Sequence, residues 1–120
     1  GTSRTIIDAR TKGAAIKFNN YQTDYSIIKN LRVTHSSETS TECGSLGTAP
    51  NGGIVLYYSD YVTIENVHFF ETYNGLMTYQ SHNLNVKNSI FDRGTLSSFY
   101  YGMFICYGND IRIENNEIKK

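Results

Sequence analysis

A chain of 120 residues with 11 basic and 11 acidic side chains is one domain or a piece of one, and its zero net charge argues against a nucleic-acid partner, which needs a basic surface to neutralise phosphate. No apolar run approaches the ~18 residues of a membrane span, and two cysteines, Cys43 and Cys106, are too few for a disulfide framework and match no metal-ligand spacing. One proline, ten tyrosines, no tryptophan and a period-two alternation of polar residues with Ile, Val, Tyr and Phe mark an all-β chain.

In chain order the expected strands form a repeat. After TIID comes GAAIKFNN from Gly13, then YSIIKN ending at Asn30, then LRV. A long loop insertion follows at residues 34–52. The next unit is GIVLYYSD from Gly53, YVTIEN ending at Asn66, then VHF. GLMTYQSH from Gly75, NLNVKN ending at Asn88 and SIF make the third, and GMFICYGN from Gly102, DIRIEN ending at Asn115 and NEI the fourth. In the last three units the asparagine lies 13 residues after the glycine; in the first it lies 17 after, which a four-residue insertion near YQTD explains.

A constant strand–turn–strand–turn–strand unit with one variable connection is the mark of a solenoid. Three short strands at a minimum period of 22 residues predict a right-handed parallel β-helix of about four coils, a single segment over 1–120 that can belong to a longer helix. The recurring asparagine has a physical reason: it is the non-glycine residue that best tolerates the left-handed backbone of a sharp bend, and stacked amides can bond to one another. The register points Ile54/Leu56, Leu76/Thr78 and Met103/Ile105 inward from the first strand. From the second it points Val62/Ile64, Leu84/Val86 and Ile111/Ile113 inward, and from the third Val67/Phe69, Ser89/Phe91 and Asn116/Ile118. An outward column reads Lys29, Glu65, Lys87, Glu114, alternating in charge.

The segments TIID, KGAAIKF, YSIIKNL, GGIVLYYSDYVTIEN and NGLMTYQSHNLNVKN, in this order, resemble the pectate lyase-like superfamily of parallel β-helix proteins. They are also similar to the β-helix stem of phage tailspikes and to bacterial right-handed β-helix proteins at large. The resemblance implies a polysaccharide partner lying along the first sheet, beside the variable loops. It does not carry the chemistry over. Where calcium-dependent lyases place aspartates, this chain has NGLMT at Asn74–Thr78 and Gly52 in the preceding repeat, so the carboxylates that hold calcium are missing. There is no arginine pair in a PR-x-R-like stretch, and YN and YY stand where polygalacturonase-like enzymes show Asp-Asp and Gly-His-Gly. No metal and no cofactor are expected, and catalysis is left open.

The outward positions of the first sheet are expected to be Ala15/Val55/Met77/Phe104 and Lys17/Tyr57/Tyr79/Cys106. Tyr57 and Tyr79 would be stacking platforms for sugar rings, with Lys17 in the same column and Tyr73, Asn74, Tyr100 and Tyr101 at the lip. The alternatives are that tyrosine is simply a good strand residue, or that a loop or another subunit covers the apolar column. For acid–base chemistry the candidates are Glu71 and Asp92 with Arg93; Glu71 and Arg93, one coil apart, are expected to form an ion pair. His68 and His82 face outward with no evident triad partner. GSLGTAPNGG has no following Lys-Ser/Thr and reads as a flexible loop. A Cys43–Cys106 disulfide is not expected if the loop stays beside its own coil. The opening GTSR, without an initiator Met or leader, is expected of a mature chain or an excerpt. Open β-helix ends call for further coils or a homotrimer. Two function classes follow: an extracellular or virion-surface module that engages a polysaccharide or oligosaccharide, as part of a lyase, hydrolase or tailspike; or a non-catalytic structural stalk.

Overall fold

A computed structural model describes residues 5–19, 24–37, 43, 52–96 and 101–119. Eleven strands run through them: β1 (Thr5–Asp8), β2 (Ile16–Asn19), β3 (Ile27–Thr34), β4 (Ile54–Tyr57), β5 (Thr63–Phe70), β6 (Asn74–Tyr79), β7 (Leu84–Lys87), β8 (Ile90–Asp92), β9 (Tyr101–Cys106), β10 (Ile111–Glu114) and β11 (Glu117–Lys119). Every pairing between them is parallel. The first sheet is β2-β4-β6-β9. The others are continuous through β3 and β5, each of which bends at an asparagine: one flank pairs with β7 and β10, the other with β1, β8 and β11.

The bend residues are Asn30, Asn66, Asn88 and Asn115, with φ of 61°, 52°, 52° and 54°. Asn66 Nδ2 donates to Asn30 Oδ1 at 2.9 Å and Asn115 Nδ2 to Asn88 Oδ1 at 2.7 Å. Left-handed backbone and amide bonding therefore coincide at one column. The bends also need partners for backbone groups that no strand satisfies, and small polar side chains supply them. Val67 N–H donates to Ser89 Oγ at 3.1 Å, Ser89 N–H to Asn116 Oδ1 at 2.9 Å, and Asn116 Nδ2 to the Val86 carbonyl at 2.9 Å. At the end of the first sheet Ser59 N–H donates to Ser81 Oγ, and after the third strand Tyr73 N–H donates to Ser36 Oγ.

Inside the coil lies one apolar column per strand position: Ile54, Leu56 and Leu76 from the first sheet, Ile28, Val62, Ile64, Leu84 and Val86 from the second flank, Val33, Val67, Phe69 and Phe91 from the third. Each such side chain contributes about 1.5–3 kcal/mol by leaving water. Phe69 and Phe91, adjacent in register, stack at 4.4 Å between centroids. Gly75 is required by this packing: a Cβ there would strike the Gly102 carbonyl oxygen and come within 2.6 Å of the Phe91 ring.

The first unit sits two residues away from the glycine alignment. Ile16 pairs with Ile54 and Lys17 with Val55, so Ala15, not Gly13, precedes the strand as Gly53 does. The outward columns are Lys17/Val55/Met77/Phe104 and Asn19/Tyr57/Tyr79/Cys106. Gly13, at φ 118°, serves the turn before the strand instead. The charge column falls in register as expected, with Lys87 Nζ 4.0 Å from Glu65 Oε1; Glu114 turns to Arg112 at 3.4 Å.

Candidate functional site

The outer face of the first sheet is not an open platform. Val55, Tyr57, Met77 and Cys106 form a second buried cluster, with Ala14, Tyr58, Tyr79 and Phe104 packed against it. Tyr57 is only 2% exposed, so the expectation of an accessible stacking ring at that position is corrected. Burial, then the neighbouring Tyr79, holds its phenol above the ordinary tyrosine range. Lys17 remains exposed, its Nζ 4.9 Å above the Tyr57 ring. Cys106 is bonded to Cys43, their Cα atoms 6.0 Å apart, within the span a disulfide needs. The expectation of no disulfide fails because residue 43 does not stay beside its own coil: it lies against Cys106 at the end of β9, the far strand of the sheet.

The expected lip is divided. Asn74 is buried within β6 and Tyr73 half-buried. Tyr101 is exposed and stacks on Phe104 at 5.0 Å. Tyr100 lies outside the described residues. What the fold does assemble is an aromatic row where the first-sheet strands end. Tyr79 makes edge contacts with Tyr57, Tyr58 and Tyr107, at 5.9, 5.9 and 5.7 Å between centroids. Tyr107 is 63% exposed. Beyond the row, the corner leading to the second flank carries a polar ladder. Asp60 N–H donates to Asp24 Oδ1 and His82 N–H to Asp60 Oδ1, both at 2.8 Å, and Asn109 N–H donates to His82 Nδ1 at 3.0 Å.

The acid–base candidates lie on the opposite corner, at the end of the third strand. Glu71 and Asp92 do converge, around Gly94. Its N–H donates to Asp92 Oδ1 at 2.9 Å, and a Cβ on it would lie 2.7 Å from Glu71 Oε1. Gly94 has φ +60°, a further reason for glycine there. The expected Glu71–Arg93 ion pair is replaced by others: Glu71 Oε2 lies 3.5 Å from His35 Nε2, Oε1 accepts from Thr95 Oγ1, and Arg93 Nε donates to the Leu96 carbonyl. His35 Nδ1 also contacts Asp8 Oδ1 at 3.1 Å. The backbone N–H of Arg10, and after it His35, holds the Asp8 carboxyl below its usual range despite some opposing desolvation.

His68, for which the sequence shows no triad partner, has two polar partners, Arg32 and Asp92. Arg32, which can only donate, lies 3.2 Å from Nδ1, so Nδ1 accepts and Nε2 carries the proton toward Asp92 Oδ2 at 3.2 Å. Both ring nitrogens are thus engaged, and the imidazole has none left to take a proton from a substrate. Three of the four oxygens of Glu71 and Asp92 likewise face donors within the protein, and Glu71 Oε2 lies 3.5 Å from His35 Nε2. The arrangement clamps the turn at Gly94 across neighbouring coils.

Against protein-family models, residues 2–120 match the right-handed beta helix region. The chain belongs to that family. The match covers nearly the whole length of this right-handed β-helix chain and agrees with its parallel sheets and bent coil. No curated protein and no solved structure gave a match.

Within this β-helix the tertiary structure brings Tyr57 and Tyr79 together, and Glu71 and Asp92 together, on different corners. The polar ladder Asp24–Asp60–His82–Asn109 was missed, although the tetrads QTDY, YSDY, QSHN and YGND show a short polar residue just before each second strand.

Proposed function

We propose that this β-helix binds a polysaccharide along the tyrosine row at the end of its first sheet, in an extracellular or virion-surface setting. The observation that carries the reading is Tyr79 in edge contact with three tyrosines and continued by exposed Tyr107. Tyrosine gives an apolar face for sugar C–H groups and a hydroxyl for their oxygens at low entropic cost. A row that advances from coil to coil suits a ligand that repeats along the helix axis. The Cys43–Cys106 bond supports an oxidising compartment.

The test is titration of the protein against a glycan panel. Replacing Tyr79 and Tyr107 together by Ala should weaken the best ligand by roughly one to two orders of magnitude. A second reading, a structural stalk, is favoured by burial of Val55, Tyr57 and Met77 within the chain itself, which leaves less of that face open to a ligand. It predicts no glycan binding, and a panel without a hit would favour it.

A further inference from the structure

At the other edge of the corner that begins with Tyr58 and Tyr107, a second pair of tyrosines stands where stability alone would choose another residue. Tyr25, Tyr61, Asn83 and Asp110 occupy one column, with φ of 62°, 57°, 55° and 57°. Backbone bonds stack them one per coil: Tyr25 N–H to the Asp60 carbonyl, Tyr61 N–H to that of His82, and Asn83 N–H to that of Asn109. The bend demands left-handed backbone, which Asn and Asp adopt readily and a bulky aromatic residue does not. Nor does burial explain the aromatic choice, because Tyr25 is 75% and Tyr61 49% exposed. The two rings lie parallel, 4.7 Å apart with 6° between their planes, and form a ledge facing water.

Carboxylates flank this ledge. Among the described residues Asp24 and Asp60 each use Oδ1 to hold the backbone of the adjoining coil, which leaves Oδ2 of each as an acceptor. Asp110 adds a third acid in the tyrosine column, and the nearby Arg112 is engaged by Glu114. An aromatic ledge beside hydrogen-bond acceptors of negative charge suits a ring with an apolar face and donor hydroxyls. It disfavours one carrying its own carboxylate.

We propose that Tyr25 and Tyr61 form a second saccharide subsite, selective for a neutral pyranose, with Asp24 and Asp60 accepting from its hydroxyls. This rests on the polysaccharide reading but concerns different residues, so the two can fail separately. The substitution that tests it is Tyr25→Asn with Tyr61→Asn, since Asn83 already fills the same bend. The probes are cellohexaose and chitohexaose against hexagalacturonate, followed by calorimetry and by tyrosine fluorescence, which no tryptophan obscures. The expected result is an unchanged or raised melting temperature, with neutral-hexasaccharide affinity reduced about tenfold or more. On the unsubstituted protein, magnetisation transfer from the Tyr25 and Tyr61 rings to sugar C–H protons should appear, a readout independent of how the variant folds. Unchanged affinity in the double variant while Tyr107→Ala weakens binding would remove the ledge and leave the tyrosine row standing. Preference for the uronate would overturn the neutral-sugar assignment. Failure of every hexasaccharide to bind would overturn both readings.

Discussion

Asn66 does two separable things. Its backbone holds φ at 52° and its Nδ2 bonds Asn30. Left-handed backbone costs an ordinary residue about 1–2 kcal/mol, and a lost amide bond about 1 kcal/mol. Asn66→Ala should therefore destabilise by about 2–3 kcal/mol. Asn66→Gly keeps the permitted backbone and loses only the amide, so the unfolding midpoint in urea should rank Asn above Gly above Ala. Equal losses for Gly and Ala would show that the backbone angle is not what asparagine provides.

At the scale of the first sheet, the two inner strands bury both faces: β4 at every residue and β6 at every residue but Tyr79. Parallel strands buried on both sides read as continuous apolar runs, and IVLY in β4 is one. Tyr57 is the titratable reporter of that second face. Its phenol is held above the ordinary value by burial. In the unfolded chain it ionises near pH 10, so between that pH and its higher folded value the native state keeps a proton the unfolded state has released. This contribution is fully present below about pH 10 and is lost as pH rises through the folded pKa. Ultraviolet titration should show a tyrosine step above the ordinary range, and Tyr57→Phe should remove that step and flatten the loss of stability above about pH 10. If Tyr57→Phe removes no step above the ordinary range, the outer face is open to water.

For the whole molecule the disulfide matters most. It closes a loop 63 residues long, and restricting the unfolded chain over that length is worth about 4 kcal/mol in the chain-entropy account. It also attaches residue 43, which follows β3, to β9, the sixth strand after it, and so ties an early part of the coil stack to a late one. Reduction, or Cys43→Ser with Cys106→Ser, should lower the melting temperature by several degrees or more. Both should also raise the quenching of tyrosine fluorescence by acrylamide as Tyr57 becomes accessible. An unchanged melt with and without reductant would show that the bond does not constrain the fold in solution.

Local alternation and one recurring asparagine suffice to read the architecture, because in a solenoid each coil pairs only with its neighbours and repeats the same local demands. Ile64 over Val86, Phe69 over Phe91 and Asn66 over Asn30 are all consequences of that repetition. The first unit escaped because a glycine can serve either the turn or the strand start, and only the pairing of Ile16 with Ile54 shows which. The site escaped for a different reason. Whether Glu71 turns to Arg93 or to His35, and whether Cys43 crosses to β9, are choices between neighbours that are equally near in register but distant in sequence. Such choices are made by side-chain reach and by the path of a long connection, neither of which leaves a periodic trace. The chain's own order therefore determined the coil and the inward columns of its buried coils, though Ile113 and Ile118 of the last coil are exposed, while the tertiary structure alone decided that Tyr57 is buried and that Tyr25 and Tyr61 stand in water as a stacked pair.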